Sequence, residues 1–208
     1  MNKRFFLLCI LFGLSYKSYG QQLMDLFPEK GKTIKYFPAD NARYYKGYNY
    51  KFIITWYSEM LWAMKEPVIY TDRSKNEIYR FTWLRTYNHP IAIRIENRGG
   101  LYFLFWKMCN GNGGFEPGKL IIDKQKSVDK RVWKQFSSFL DRINFWSMDT
   151  HVKDSGDDGA QWILEGKVGN RYHVVDRFTP SLSKDDFYKC CDFLIGLTDL
   201  KFKPGEKY

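Results

Sequence analysis

Residues 157–180 hold the densest set of groups able to do chemistry: Asp157-Asp158-Gly159-Ala160-Gln161-Trp162-Ile163-Leu164-Glu165, a glycine-bearing turn, then Arg171-Tyr172-His173-Val174-Val175-Asp176-Arg177. One of the chain's three histidines sits there among carboxylates and two arginines. The pattern predicts a β-hairpin. With a loop at 166–170, Glu165 pairs with Arg171, Ile163 with His173 and Gln161 with Val175. Alternation then puts Trp162, Leu164, Tyr172, Val174 and Phe178 on a core face. Gln161, Glu165, Arg171, His173 and Arg177 share the other. The candidate ligand-binding residues are therefore Glu165, Arg171, His173 and Arg177. Two guanidiniums would hold an anion, and the imidazole would serve as acid or base. The plainer alternative is a solvated sheet face with one cross-strand ion pair, Glu165–Arg171.

Other patterns fall short of a defined chemistry. Residues 154–165 have the length of an EF-hand loop, with Asp158, Gly159 and Glu165 at its fifth, sixth and twelfth positions. Gly156 stands where Asp or Asn belongs, Gln161 where an apolar residue is usual, and no helix flanks the loop closely. No metal is assigned; Asp154, Asp158 and Glu165 are the nearest approach to a ligand set. The glycine loop at 110–118 could cradle an anion, but it lacks a GK[ST] ending and leads into a strand, so a hairpin connection is favoured. No Gly-x-Ser-x-Gly occurs, and His89, His151 and His173 lack metal-ligand spacing. A Cys109–His173 pair has no local signature. Glu165 with Asp157 or Asp158 remains open as a carboxylate pair for hydrolysis. No catalytic residue and no cofactor is assigned.

The segments Asp158-Gly159-Ala160-Gln161-Trp162-Ile163-Leu164-Glu165-Gly166 and Tyr172-His173-Val174-Val175-Asp176-Arg177 carry a resemblance. Together with a Phe145-Trp146 pair before the acidic loop, they resemble a group of exported proteins of Gram-negative bacteria with a DG-x-x-W-x-L-E-G … YH-x-V-x-R hairpin. The likeness covers most of 56–200. Where that pattern has Trp after the arginine, this chain has Phe178, which keeps the bulk and loses a donor. The resemblance implies export and a shared fold; it carries over no activity.

The N-terminus supports export. Lys3 and Arg4 precede an apolar run at 5–14, and Ser18-Tyr19-Gly20 offers a signal-peptidase site, so cleavage is expected after Gly20. The run is too short to span a bilayer, and no later stretch is apolar enough, so no transmembrane segment is expected after cleavage. The protein is expected to be periplasmic or secreted. A formal net charge of +10 favours acidic partners. The Lys and Arg residues are scattered, with no run longer than two, which argues against nucleic acid. Cys109, Cys190 and Cys191 remain after cleavage, an odd number, and the core reading of all three is preferred to a bridge from Cys109. Aromatic residues make up 19% of the chain, which suits either a large aromatic core or rings that stack on sugars.

These residues need a frame. The expected divisions are a signal peptide at 1–20, an irregular lead-in at 21–47, a single α+β domain at 48–200 and a basic, frayed tail at 201–208. A buried helix over 50–65 ends at Pro67. Strands follow at 77–87, 91–96, 101–108 and 119–125, joined by short turns in a meander. Ser127 opens a helix with Val132, Phe136, Leu140 and Ile143 as its apolar stripe, and Ser183 opens another with Asp186 as a capping acid. The fold class is α+β: one antiparallel sheet of about six strands, a four-strand meander plus the C-terminal hairpin, with helices packed on one face. The expected function is an exported binding or structural domain of the cell envelope, its ligand an anionic component or glycan. The alternatives are an exported hydrolase using Glu165, His173 and an Asp of 157–158, and an inhibitor or immunity-type protein that binds a protein partner.

Overall fold

The computed structural model describes residues 35–38, 50–152, 156 and 158–208. The expected signal segment, most of the lead-in, Asp154 and Asp157 lie outside these residues.

Strand alternation sets the architecture. In β1 (Glu77–Arg85), Tyr79, Phe81 and Trp83 face one way and Arg80, Thr82 and Leu84 the other, and all six are buried. β2 (Ile91–Arg98) repeats this, with Ile91, Ile93 and Ile95 opposite Ala92, Arg94 and Glu96. A sheet buried on both faces needs a layer on each. α1 (Tyr50–Ala63) supplies one layer. α2 (Lys130–Arg142) and α3 (Asp186–Gly196) supply the other. The expectation of helices on a single face is corrected by the polar face of β1 and β2, which is not solvated.

The sheet is antiparallel, with order β4-β3-β2-β1-β5-β6. β3 spans Leu101–Cys109, β4 Leu120–Val128, β5 Ala160–Val168 and β6 Arg171–Phe178. The meander and the hairpin thus join in one sheet through the β1–β5 pair. On the α2/α3 side, Tyr79, Phe81, Trp83, Trp162 and Leu164 meet Trp133, Phe136, Phe187 and Leu194. On the α1 side, Leu84, Ala92, Ile163 and Val174 meet Tyr36, Tyr57, Met60 and Leu61. Full burial of side chains such as Phe81 and Phe136 contributes about 1.5–3 kcal/mol each.

Helix ends follow capping chemistry. Asp129, not Ser127, caps α2 and accepts from the N–H groups of Arg131 and Val132 at 2.7 and 3.2 Å; Ser127 lies in β4. Asp185, not Ser183, caps α3 through Tyr188 N at 2.9 Å. α1 ends in a Schellman turn. Lys65 takes φ 52°, and the N–H groups of Lys65 and Glu66 donate to Trp62 O and Leu61 O. That turn drives Glu66 down onto the sheet.

Cys109, Cys190 and Cys191 are free and buried. Cys109 belongs to the α1-side core, and Cys190 and Cys191 to the α2/α3-side core, so the sheet separates them. The tail expected to fray is docked instead. The indole N–H groups of Trp83 and Trp162 each donate to Tyr208 O at 2.9 Å. Among the described residues, no helix is long and apolar enough to cross a membrane.

Gly166 shows how tightly the hairpin packs. A Cβ there would lie 2.6 Å from Phe145 Cε1 and 2.7 Å from Tyr79 Cε1. Gly166→Ala is expected to destabilise the protein by about 1–3 kcal/mol in urea denaturation, because neither ring can withdraw from a filled core.

Candidate functional site

The hairpin turns at Gly169-Asn170, with Gly169 at φ 57° and Val168 opposite Arg171. The expected five-residue loop is thus too long, and Lys167 and Val168 extend β5. Glu165 stands opposite Val174, Gly166 opposite His173 and Trp162 opposite Arg177. The offset from the expected pairing is an odd number of residues, so it reverses the face of β6 relative to β5. Arg171, His173 and Arg177 do share a face, but it is the face of Trp162 and Leu164. Glu165 lies on the opposite face with Tyr172 and Val174, and no Glu165–Arg171 pair forms.

The Arg171–His173–Arg177 face is covered in part by protein: Arg171 remains exposed, and His173 and Arg177 are half-buried. A 3₁₀ turn, Phe145–Ser147, and the segment after it lie along β6. Arg171 stacks its guanidinium 4.4 Å over the Trp146 ring and donates to Trp146 O at 3.3 Å. Arg177 donates to Asp149 O at 2.9 Å and to Thr150 O at 3.3 Å. His173 packs edge-on to Phe145, with ring centroids 5.2 Å apart. Burial pushes its imidazole below the usual range, against a hydrogen bond to the Met148 backbone, and Arg171 and Arg177 add to the fall. Asp176 N donates to Thr150 O at 2.7 Å, so residues 149–151 cap the edge of the sheet. Asp176 also accepts from the Tyr57 hydroxyl at 2.9 Å, and His151 Nδ1 lies 3.9 Å from the same carboxylate oxygen. This second polar cluster ties α1, β6 and the capping segment together.

Glu165 belongs to a buried ion network on the α1 side. Arg80 stands directly opposite it across β1–β5 and contacts it through Nε at 2.8 Å and Nη2 at 2.6 Å. The Tyr172 hydroxyl donates to its other oxygen at 2.8 Å. Glu66 is the hub, with Arg94 Nε at 2.9 Å, Lys107 Nζ at 3.5 Å and Arg80 Nη1 at 3.6 Å. Two of these cations, with Lys167, hold the loop after α1 by its carbonyls. Arg80 donates to Pro67 O, Lys107 to Lys65 O and Lys167 to Ser74 O. Lys167 also pairs with Asp72 at 2.8 Å. Burial opposes the Arg80 charge, but Glu165 and Glu66 outweigh it and hold the guanidinium above its usual range. A guanidinium does not deprotonate in a protein, so Arg80 stays charged; burial raises the Glu165 carboxyl above its usual range, against the Arg80 charge and the Tyr172 hydrogen bond.

These positions decide the remaining sequence candidates. Glu165 cannot serve as the twelfth ligand of a calcium loop, since both its oxygens are engaged inside the sheet. Asp154 and Asp157 lie outside the described residues, and Asp158 is exposed. Among the described residues, no group of three or more His, Cys, Asp or Glu side chains could hold a metal. Glu165 and His173 are on opposite faces, and from Ala160 to Gly166 the strand advances about 20 Å, which separates Asp158 from His173. Glu165 and His173, two members of the expected hydrolase set, therefore do not converge. Cys109 and His173 are also on opposite faces, with β2, β1 and β5 between them, and burial raises the Cys109 thiol to about 11. In the glycine loop, the N–H groups of Gly111, Asn112, Gly113 and Gly114 all donate to backbone carbonyls, so the loop is a connection.

The α1 side is not covered throughout. Beyond α1, β3 presents Phe103 and Phe105, both partly exposed, and β4 presents exposed Gln125 and Ser127 opposite them. Arg94 stacks 4.2 Å over Phe105, and Arg98 lies 5.1 Å over Phe103 and 5.3 Å over Phe105. Glu96 pairs with both arginines, holding Arg98 Nε at 2.5 Å. The Arg98 side chain is 44% exposed. This is a preset platform of rings and guanidiniums. The sequence reading missed it because Arg94 and Glu96 alternate with isoleucines and look like an ordinary outer face. The signal was present in Phe103 and Phe105, which leave β3 apolar on both faces.

No family model matches the chain, and no curated protein shows a significant match to its sequence.

Removing the hub charge with Glu66→Gln leaves three buried cations short of a carboxylate, and the expected loss is about 3–5 kcal/mol in chemical denaturation. The depressed His173 pKa has a distinct signature. The folded state binds this proton less readily than the unfolded chain, so the stability linked to it is complete above the ordinary value of 6.5 and is lost as the pH falls from there through the folded value. His173→Phe should flatten the dependence of unfolding free energy on pH between 7 and 5, measured by urea titration at each pH.

Proposed function

We propose that this protein is an exported binding domain of the cell envelope that takes an acidic glycan on the open half of its sheet. One observation carries the reading: Phe103 and Phe105 lie side by side, partly exposed, with Arg98 and Arg94 stacked across them and fixed by Glu96. Aromatic rings present a flat apolar surface on which the face of a sugar ring can pack. The partly exposed Arg98 guanidinium, which lies over these rings, matches a carboxylate or sulfate group. Gln125 and Ser127, exposed across the strand pair, add hydrogen-bonding groups for hydroxyls. Because the platform is held by internal ion pairs, little side-chain freedom is lost on binding. The net charge of +10 adds long-range attraction for a polyanion. Export rests on the basic and apolar N-terminal pattern and on the resemblance of the 158–177 hairpin to exported proteins.

The reading is tested by calorimetric titration with oligogalacturonate and, as the neutral control, maltooligosaccharide. The expected result is binding of the acidic oligomer that weakens with salt. Arg98→Ala and Phe103→Ala should each weaken it about tenfold or more, a change of about 1.4 kcal/mol. Equal binding of the neutral oligomer, no binding of either, or full affinity in both variants would overturn the proposal.

A further inference from the structure

We propose a second site, independent of the sheet face: a pocket for a small oxyanion, walled by Arg85 and Lys201 beneath the C-terminal tail. Arg85 closes β1 and is 3% exposed. Its guanidinium lies between the Trp83 ring at 4.3 Å and the Phe202 ring at 5.3 Å. Of its five N–H donors, Nη1 donates to Glu206 O at 3.1 Å and Nη2 to His89 O at 3.0 Å. Its buried Nε has no hydrogen-bond partner. Among the described residues, no carboxylate lies within ion-pair distance of it, in contrast to Arg80 and Arg94, which are matched by Glu66, Glu96 and Glu165. Burial lowers its pKa to about 10, and the charges of Tyr208 and Glu206 oppose that only in part. A buried guanidinium bonded to neutral carbonyls gains most from an oxyanion, which accepts charge-assisted bonds from the donors it has left.

The surroundings provide room and a second cation. A cavity of about 170 Å³ is walled by Arg85, Asn88, His89, Lys201, Phe202 and Glu206, among others, and the Glu206 carboxylate accepts from Lys203 N at 2.9 Å. That is several times the roughly 30 Å³ occupied by one water molecule. An adjoining cavity of about 540 Å³ shares Lys201 and Phe202 and adds Lys203 and Lys207. The fitting ligand is a small molecule with a carboxylate or phosphate head at the Arg85 end and a body reaching toward the lysines.

NMR titration of the ¹⁵N-labelled full chain tests this, reading the Arg85 Nε–H and the backbone amides of Lys201 and Phe202. The probes are inorganic phosphate and acetate, with chloride as control at equal ionic strength. The expected result is a saturable shift of these signals by phosphate or acetate and none by chloride, and the tighter of the two identifies the head group. Lys201 is exposed, so Lys201→Glu should leave the fold intact and weaken the interaction about tenfold or more. Arg98→Ala should leave it unchanged, which separates this site from the glycan-binding face. Identical shifts with chloride, no saturable shift with any probe, or an unaltered titration in Lys201→Glu would overturn the proposal.

Discussion

The α1 side of the molecule depends on one carboxylate. Glu66 meets Arg80, Arg94 and Lys107, which come from β1, β2 and β3. Three cations buried together would repel one another and lose hydration; a carboxylate in their midst makes the arrangement tenable. Glu66 reaches that point because α1 ends in a left-handed Lys65 and a Schellman turn that redirects the chain toward the sheet. Local helix termination and long-range electrostatics are therefore a single constraint. The loop after α1 is held to the sheet by the same cations, which take its carbonyls as well as its carboxylate. Burial of charge here specifies position rather than adding large net stability, since a well-packed apolar equivalent would cost less to desolvate.

The network also explains why the sheet supports two kinds of surface. Where α1 and its loop lie over β1, β5 and β6, charge is internal and paired. Where they stop short, at β3 and β4, Glu96 still holds Arg94 and Arg98, but the rings beneath them reach solvent. The proposed ligand platform is thus the margin of the structural network. Its guanidiniums are oriented by contacts that exist for the fold, which is how a flat sheet comes to have a rigid polar surface.

Strand alternation was legible in β1 and β2, and both phases are correct in the structure. The six-stranded antiparallel sheet was legible too, because short turns between alternating runs leave few other arrangements. The hairpin register was not. Residues 166–170 contain two glycines, and either could mark the turn. What decides it is distant: Lys167 is drawn into the sheet by Asp72 and the Ser74 carbonyl, and Gly166 lies flat under Phe145 and Tyr79. None of these partners is near in sequence. Because side chains alternate, that local ambiguity moved Glu165 to the wrong face and created a four-residue site the fold divides. Polar residues between apolar ones in β1 and β2 were misread for a related reason. Alternation shows which residues point together, but not whether a second layer covers them.

The two edges of the sheet separate the binding readings. β6 is capped near Asp176 by the Thr150–Asp176 contact and by Arg177, which holds the covering segment. β4 is the other edge, and most of its residues are exposed. An exposed edge could recruit a partner's strand, as an inhibitor of the immunity type would require. β4 is poorly suited to that. Lys124 and Lys126 extend to Asp199 and the Leu197 carbonyl at the end of α3, and Asp123 adds a further charge. Charged side chains along an edge are the usual device against strand addition. The same strand nevertheless leaves its flat α1 side open beside Phe103 and Phe105. The proposed partner lies on the face and makes no demand on the edge, and a sugar chain has that character where a β-strand does not.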